Sequence, residues 1–360
     1  MTILAQSVHA RHGELALLEP DLATWDAFVD THPQGHLLQS SAWAQLKASA
    51  GWSARRVVVL DHAGTLLAGA QILFRHQYGM AVAYTPRGPL FSDDAAANRL
   101  LLHGLARLAR RQRAIFVRLE PNLTTDHPLA EATHTWLLLQ GLRPERTIQP
   151  RSSVHVAINR PSEAIFASFS KGHRADIRRA ERNGVAVRVG TEQEIPAFYA
   201  IMQATGARAS FGIHSEAYYR TAWQALQPCS RLLLAEQEGR VVAAHMVFAD
   251  AQRGCYLYSG ADEVGLKAGA NHLLEWHAIQ WAASLGCHSY DMWGIPDAFG
   301  QALEADEATR ASLEQSAQSD PLIGVYRFKK GFGGQIVRYL PAYDHVLIPP
   351  LYPLAQRRIG

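Results

Sequence analysis

Cysteine is scarce in this chain: Cys229, Cys255 and Cys287 are the only three among 360 residues. They are odd in number, widely spaced and form no CxxC pair, so no disulfide framework is encoded. Long hydrophobic runs are also missing. No stretch reaches the ~18 apolar residues of a membrane span. The opening MTILAQSVHARHGELALL lacks the long apolar core of a secretory signal. The expectation is a reduced, cytoplasmic setting, with any membrane contact peripheral. A strong charge of either sign is lacking too. The net charge is +3, so anion binding has to come from local clustering. There is no GxSxG elbow, no Walker loop and no zinc pattern. His32 and His36 have a metal-like spacing, but Pro33 and Gly35 break the helix that would align them, and no metal site is expected.

What is present is a folded core. Hydrophobic residues make up 48% of the chain and charged residues 19%, and the length suggests two domains. Residues 15–31 read as a strand and a short helix. Ser40 or Ser41 caps a helix carrying Trp43, Leu46 and Lys47. Residues 54–91 read as three strands, 94–112 as a helix and 114–119 as a further strand. The second half repeats that order: three strands over 230–262, a helix over 270–285 and a strand over 287–293. Hairpin, hairpin, helix, strand makes a mixed sheet flanked by helices, an α/β (α+β) class. The order resembles the GNAT acyltransferase fold, present here as two units in tandem.

Three stretches suggest chemistry. The first is residues 324–343, GVYRFKKGFGGQIVRYLPAY, where Phe328-Lys329 is followed by Gly331-Phe332-Gly333-Gly334. It reads either as a hairpin turn with a solvated lysine pair, or as a lysine held between Phe328 and Phe332 to meet negative charge that develops in a reaction. The second is a helix over 171–183 that places Arg174, Arg178 and Arg182 on one face. It is either a solvated surface or a landing strip for phosphates. The third is a pair of glycine-containing loops, Arg87-Gly88-Pro89 and residues 265–270, GLKAGA. The latter is the better candidate for an anion at a helix N-terminus.

The ordered motifs LLQSSAWAQLK, YTPRGPLF, KGHRADIRRAERNGV, ATGARASFGIHSEAYY, YLYSGA, YDMWGI and GVYRFKKGFGG resemble the FemABX peptidyltransferases. The resemblance runs from about residue 36 to residue 343 and fits the compact, arm-less members. It implies transfer of an amino acid from aminoacyl-tRNA to the stem-peptide side-chain amine of a peptidoglycan precursor. That precursor is UDP-MurNAc-pentapeptide or lipid II, and no cofactor is implied beyond the tRNA co-substrate. Residue by residue, Phe328 and Lys329 match the family's Phe-Lys pair at the scissile ester. Lys47 and Arg208 match contacts to the acceptor diphosphate. Tyr84, Arg87 and Asp93 lie in the segment bordering the acceptor, and Tyr218, Tyr219, Tyr256 and Tyr258 are candidates to line the substrate groove. Arg174, Arg178 and Arg182 fall where tRNA would lie. The proton acceptor stays open between Asp93, Asp291 and the substrates themselves.

The resemblance also implies the domain plan: 1–158 completed by 335–360, and 159–334 as the second domain. The acidic insert 301–320 is expected to form a helix or lid. Two other readings remain, an acyl-CoA-dependent N-acyltransferase and a non-catalytic protein that binds RNA or an envelope precursor.

Overall fold

The computed structural model describes residues 2–10, 13–209 and 212–357. By contact the chain divides into two units, Met1–Arg151 with Arg338–Gly360, and Ser152–Val337.

The first unit opens with β1 (Thr2–Ala10) and β2 (Gly13–Glu19). Asp21 caps α1 (Leu22–Thr31) by accepting the Thr24 N–H at 2.8 Å. The Ser40 hydroxyl caps α2 (Ser41–Ser49) by accepting the Trp43 N–H at 3.1 Å, satisfying a donor that a helix start otherwise orphans. An antiparallel meander follows: β3 (Ser53–Leu60), β4 (Leu66–Gln77) and β5 (Met80–Thr85). Asp94 caps α3 (Ala95–Arg111), which buries Leu100, Leu101 and Leu105. It returns the chain to β6 (Ala114–Leu119), parallel to β5. Then come α4 (Ala130–Leu139) and β7 (Arg143–Glu145).

The second unit begins with β8 (Ser152–Ala157), α5 (Ser162–Ser168), α6 (Lys171–Arg182), β9 (Ala186–Val189), α7 (Ile195–Ala209) and α8 (Glu216–Ala225). Its meander is β10 (Ser230–Gln237), β11 (Arg240–Ala249) and β12 (Arg253–Ala261). After α9 (Glu263–Ala268), α10 (Ala270–Ser284) leads to β13 (Ser289–Gly294), parallel to β12. The unit closes with α11 (Asp297–Gln301), α12 (Glu307–Ala317), α13 (Ile323–Lys330) and β14 (Gln335–Arg338). The chain then re-enters the first unit as β15 (Ala342–Val346) and α14 (Tyr352–Gln356).

The first sheet runs β1-β2-β3-β4-β5-β6-β15-β7 and the second β14-β8-β13-β12-β11-β10-β9. Meander, helix and parallel strand recur as β3–β6 with α3 and as β10–β13 with α10. This is the duplication expected from the sequence pattern. Each unit has its own core. Leu15, Val57, Ile72, Phe74, Leu101 and Val117 belong to the first. Val156, Ile165, Val247, Leu274, Ile279 and Phe332 belong to the second. Among the described residues no helix is long and apolar enough to cross a membrane.

Three expectations need correction. The division falls at 151/152 rather than 158/159, because β8 pairs antiparallel with β13 of the second sheet. The returning segment starts at 338 rather than 335. The hairpin reading of 324–343 fails, since residues 323–330 are helix α13. Within the acidic insert, α12 is a helix capped by Asp306, which accepts the Thr309 N–H at 2.9 Å.

Candidate active site

α13 ends in the glycine-rich run, and the glycines are there for close approach. A Cβ on Gly331 would lie 2.0 Å from the His173 ring. Gly333 has φ +74° and would set a Cβ 2.3 Å from the Ser168 carbonyl oxygen. The neighbouring α6 fastens this end. His173 Nε2 lies 2.7 Å from the Phe328 carbonyl oxygen and Nδ1 lies 3.0 Å from Ser170 Oγ. A carbonyl only accepts, so Nε2 carries the proton and Nδ1 accepts from the serine hydroxyl. The Ser170 N–H donates to the Gly331 carbonyl at 2.8 Å. Phe332 is fully buried, edge-on to Phe169 and His173 at 5.0 and 4.8 Å.

This anchoring turns Lys329 inward. Its side chain is 4% exposed, and Nζ donates to the Gly294 carbonyl at 2.7 Å. The ammonium also sits 5.5 Å from the centre of the Tyr256 ring. Burial pulls the lysine down to about 8, while the charges of Asp291 and Glu275 oppose that fall.

The Gly294 carbonyl is aimed by a break in β13. The β8–β13 register shifts between Asp291 and Gly294, and Trp293 takes φ +63°. A bulge of this kind re-aims the groups beside it, and a bulky residue in the left-handed region is strained. The same bend lets the Trp293 N–H donate to Asp291 Oδ1 at 2.7 Å. Asp291 is fully buried. It also accepts the Ser153 hydroxyl, and its Oδ2 lies 3.4 Å from His155 Nε2.

Below the lysine lies a second polar layer. Glu275 on α10 and His245 on β11 are both fully buried, with His245 Nδ1 3.3 Å from Glu275 Oε2. Burial holds the Glu275 carboxyl up to about 8, against the stabilising Tyr290 hydroxyl, and drives His245 down to about 3. Burial thus disfavours the charged form of each. The arrangement is a buried ammonium, held by the Gly294 carbonyl, facing the Tyr256 ring and within the field of Asp291. Such a group can stabilise an oxyanion or deliver a proton.

The other candidates are dispersed. In the first unit, Lys47 is half-buried with Nζ 4.9 Å from the Trp43 ring centre. Tyr84 is buried. Its hydroxyl donates to Glu120 at 2.6 Å and accepts from Gln149 Nε2 at 3.1 Å, so it is a packing residue. Arg87 is buried at φ +49°, lies 3.7 Å over the Tyr339 ring and donates to the Pro150 carbonyl at 3.0 Å. Asp93 is exposed, just ahead of the cap of α3.

In the second unit, Arg208 is exposed on α7 and donates through Nη1 to the Ala261 carbonyl at 2.8 Å. Ser210 and Phe211 of the same motif lie outside the described residues. Tyr219 is buried in an aromatic cluster with Tyr258 at 5.1 Å, and Tyr218 stacks on His214 at 3.9 Å. Arg174 and Arg178 line a shallow hollow of about 640 Å³ with Phe166 and Trp276. Arg174 is spent on the carbonyls of Ala167 and Phe169, both at 2.7 Å, which ties α6 to the end of α5. Arg182 is exposed and stands outside that lining.

Both candidate anion loops are filled by packing. Gly269, at φ +83°, joins α9 to α10 and lies against the Asp176 carbonyl of α6, where a Cβ would be 2.8 Å away. A Cβ on Gly88 would lie 2.8 Å from the Gln39 side chain.

The FemAB family profile matches residues 21–238 and 225–357. The chain belongs to the FemAB family. It is 23% identical over 406 aligned positions to the lipid II:glycine glycyltransferase of Staphylococcus saprophyticus, covering 92% of this chain and 93% of that protein. Against the lipid II:glycine glycyltransferase of Staphylococcus aureus the identity is 28%, over 56% of this chain and 50% of the relative. Among solved structures, FemX superposes with a TM-score of 0.82 at 20% identity, covering 94% of this chain and 99% of FemX. A tandem GNAT protein from the clavulanic acid pathway reaches 0.50 at 10% identity, covering 92% of this chain and 98% of that one. The FemAB chain therefore has the tandem GNAT-like architecture that its element order predicts.

Proposed function

We propose that this FemAB-family transferase moves an aminoacyl group from aminoacyl-tRNA to the side-chain amine of a peptidoglycan precursor, building the interpeptide bridge. Lys329 carries this reading: a buried ammonium bonded to the Gly294 carbonyl. Attack of the amine on the ester carbonyl creates a tetrahedral oxyanion. The Lys329 ammonium stabilises that charge in a dry site, where one donor is typically worth about 3–4 kcal/mol of barrier. The attacking nitrogen loses a proton and the departing ribose oxygen gains one, so the step balances. A lysine at about 8 suits that exchange at neutral pH. Phe328, half-buried and 5.0 Å from His272, walls the same side.

The relatives act on lipid II, as their names state. This supports a lipid-linked acceptor over the nucleotide-linked form. Arg178 and Arg182, exposed on α6, are assigned to the tRNA, with Arg174 holding their helix. Lys47 and Arg208 are assigned to the acceptor diphosphate. No cofactor beyond the tRNA co-substrate enters this scheme. The filled glycine loops weigh against acyl-CoA as donor.

A transfer reaction with labelled aminoacyl-tRNA pools and each acceptor form tests the reading. Label appears in the peptide with the parent chain and is lost with Lys329→Ala. Label from acyl-CoA alone, or full transfer by Lys329→Ala, would overturn it.

A further inference from the structure

The end of the first sheet where its two parallel strands begin carries a surface that the transfer chemistry leaves unused. Three segments far apart in sequence meet there: 75–82 at the β4–β5 turn, 107–115 from α3 into β6, and 345–357 from β15 through α14. The Ala81 N–H donates to the Arg113 carbonyl at 3.0 Å. The N–H groups of Leu347 and Ile348 both donate to the Ile115 carbonyl, at 2.9 and 3.0 Å. A hollow of about 650 Å³ is lined by Tyr78 and Met80, by Ile115, and by Leu351 and Leu354.

The composition of this surface is unusual. The three segments contain no Asp and no Glu. Arg75, Arg110, Arg111, Arg113 and Arg357 are all exposed. The same segments expose apolar groups, with Tyr78 at 87% and Leu354 at 66%. In water this arrangement repels itself and wets apolar area.

An anionic lipid surface relieves both costs. Arginines meet headgroup phosphates while Tyr78 and Leu354 enter the interfacial layer. RNA would neutralise the arginines but leave Leu351 and Leu354 in water. A second copy of the chain would set arginine against arginine. We propose that this end of the first unit docks on the surface of an anionic bilayer, with the β4–β5 turn and α14 as its apolar contacts. The inference builds on the lipid-linked reading of the acceptor and can be tested apart from it.

The test is co-sedimentation of the full chain with phosphatidylglycerol/phosphatidylcholine vesicles and with pure phosphatidylcholine vesicles. The chain sediments with the anionic vesicles, and high salt weakens the binding. Substituting Arg110, Arg111 and Arg113 together by Gln weakens it about 100-fold, from the loss of three surface charges. Tyr78→Ser with Leu354→Ser weakens it at least severalfold at unchanged charge. Melting temperature and transfer to a lipid-linked acceptor dispersed in neutral detergent, with no bilayer present, stay at parent levels in both variants, which reads the catalytic proposal separately. The proposal is overturned by no sedimentation, by equal binding to neutral vesicles, or by variants that bind like the parent. It is also overturned if the triple variant loses a tRNA transcript in a gel shift while keeping its lipid, or if the parent is a dimer that the triple variant dissociates.

Discussion

Lys329 is costly to the fold and central to the site. Holding it near 8 instead of its usual 10.5 disfavours the protonated form by about 3 kcal/mol. Below about 8 the folded state therefore carries a charge it would rather shed. Stability contributed by this group rises between about 8 and 10.5, where the unfolded chain still binds a proton and the folded chain does not. Lys329→Met removes the buried charge at similar length. Transfer falls by a factor of 10² to 10³, while thermal melting at pH 7 occurs no lower than in the parent, since Asp291 keeps its bonds to Ser153 and Trp293. Turnover has its own pH signature. The ammonium is the active form, so kcat falls as pH rises through about 8. Asp291→Asn takes away a negative charge that holds the proton on, so that alkaline limb moves to lower pH. A pH–rate profile of the two chains checks the direction, and an unmoved limb would release Asp291 from this role.

At the scale of elements, the junction of α13 with α6 decides whether the lysine points inward. Gly331→Ala would drive a methyl into the His173 ring, an overpacking of the kind that costs about 1–3 kcal/mol. Adding His173→Ala opens the space, so the double variant melts closer to His173→Ala alone than additivity allows, as calorimetry of the four chains would read. This level also explains what the sequence disclosed. The cap at Ser40, the helix over 94–112 and the meanders are local patterns, and they were readable. Lys329 stood out because aromatic and glycine neighbours surround it within a few residues. Its helix was misread because glycines signal turns, whereas Gly331 and Gly333 serve close approach. Glu275, His245, Tyr290 and Ser153 were missed because α10, β11, β13 and β8 converge only in space. A trace of them was present: His245 sits alone in VVAAHMVFA, and Glu275 lies within a helix that is apolar on several sides. A solitary ionisable group in such a run is worth marking, since burial shifts it and a partner has to be found.

At the scale of the whole molecule, the first sheet is held by residues far apart in sequence. Arg118 on β6 meets Asp344 on β15 through two bonds of 2.8 and 2.6 Å, and Tyr352 of α14 donates to the same carboxylate at 2.7 Å. Both ionic partners are almost fully buried. Removing one leaves the other uncompensated, so Asp344→Ala destabilises the first unit by about 3–5 kcal/mol, read as a lowered urea midpoint.

That ion pair joins residues 226 positions apart, and β15 lies between β6 and β7 in the sheet. The order of synthesis is then the reverse of the order of completion. When β7 leaves the ribosome its neighbour in the sheet, β15, does not yet exist, and the whole of 152–337 is made before that neighbour arrives. The second unit is free to fold during this interval, while β6 waits with an open edge and an unpaired arginine. A chain released after residue 337 thus holds a protease-resistant second unit on a first unit still open to digestion, and the segment 338–357 acts as the latch.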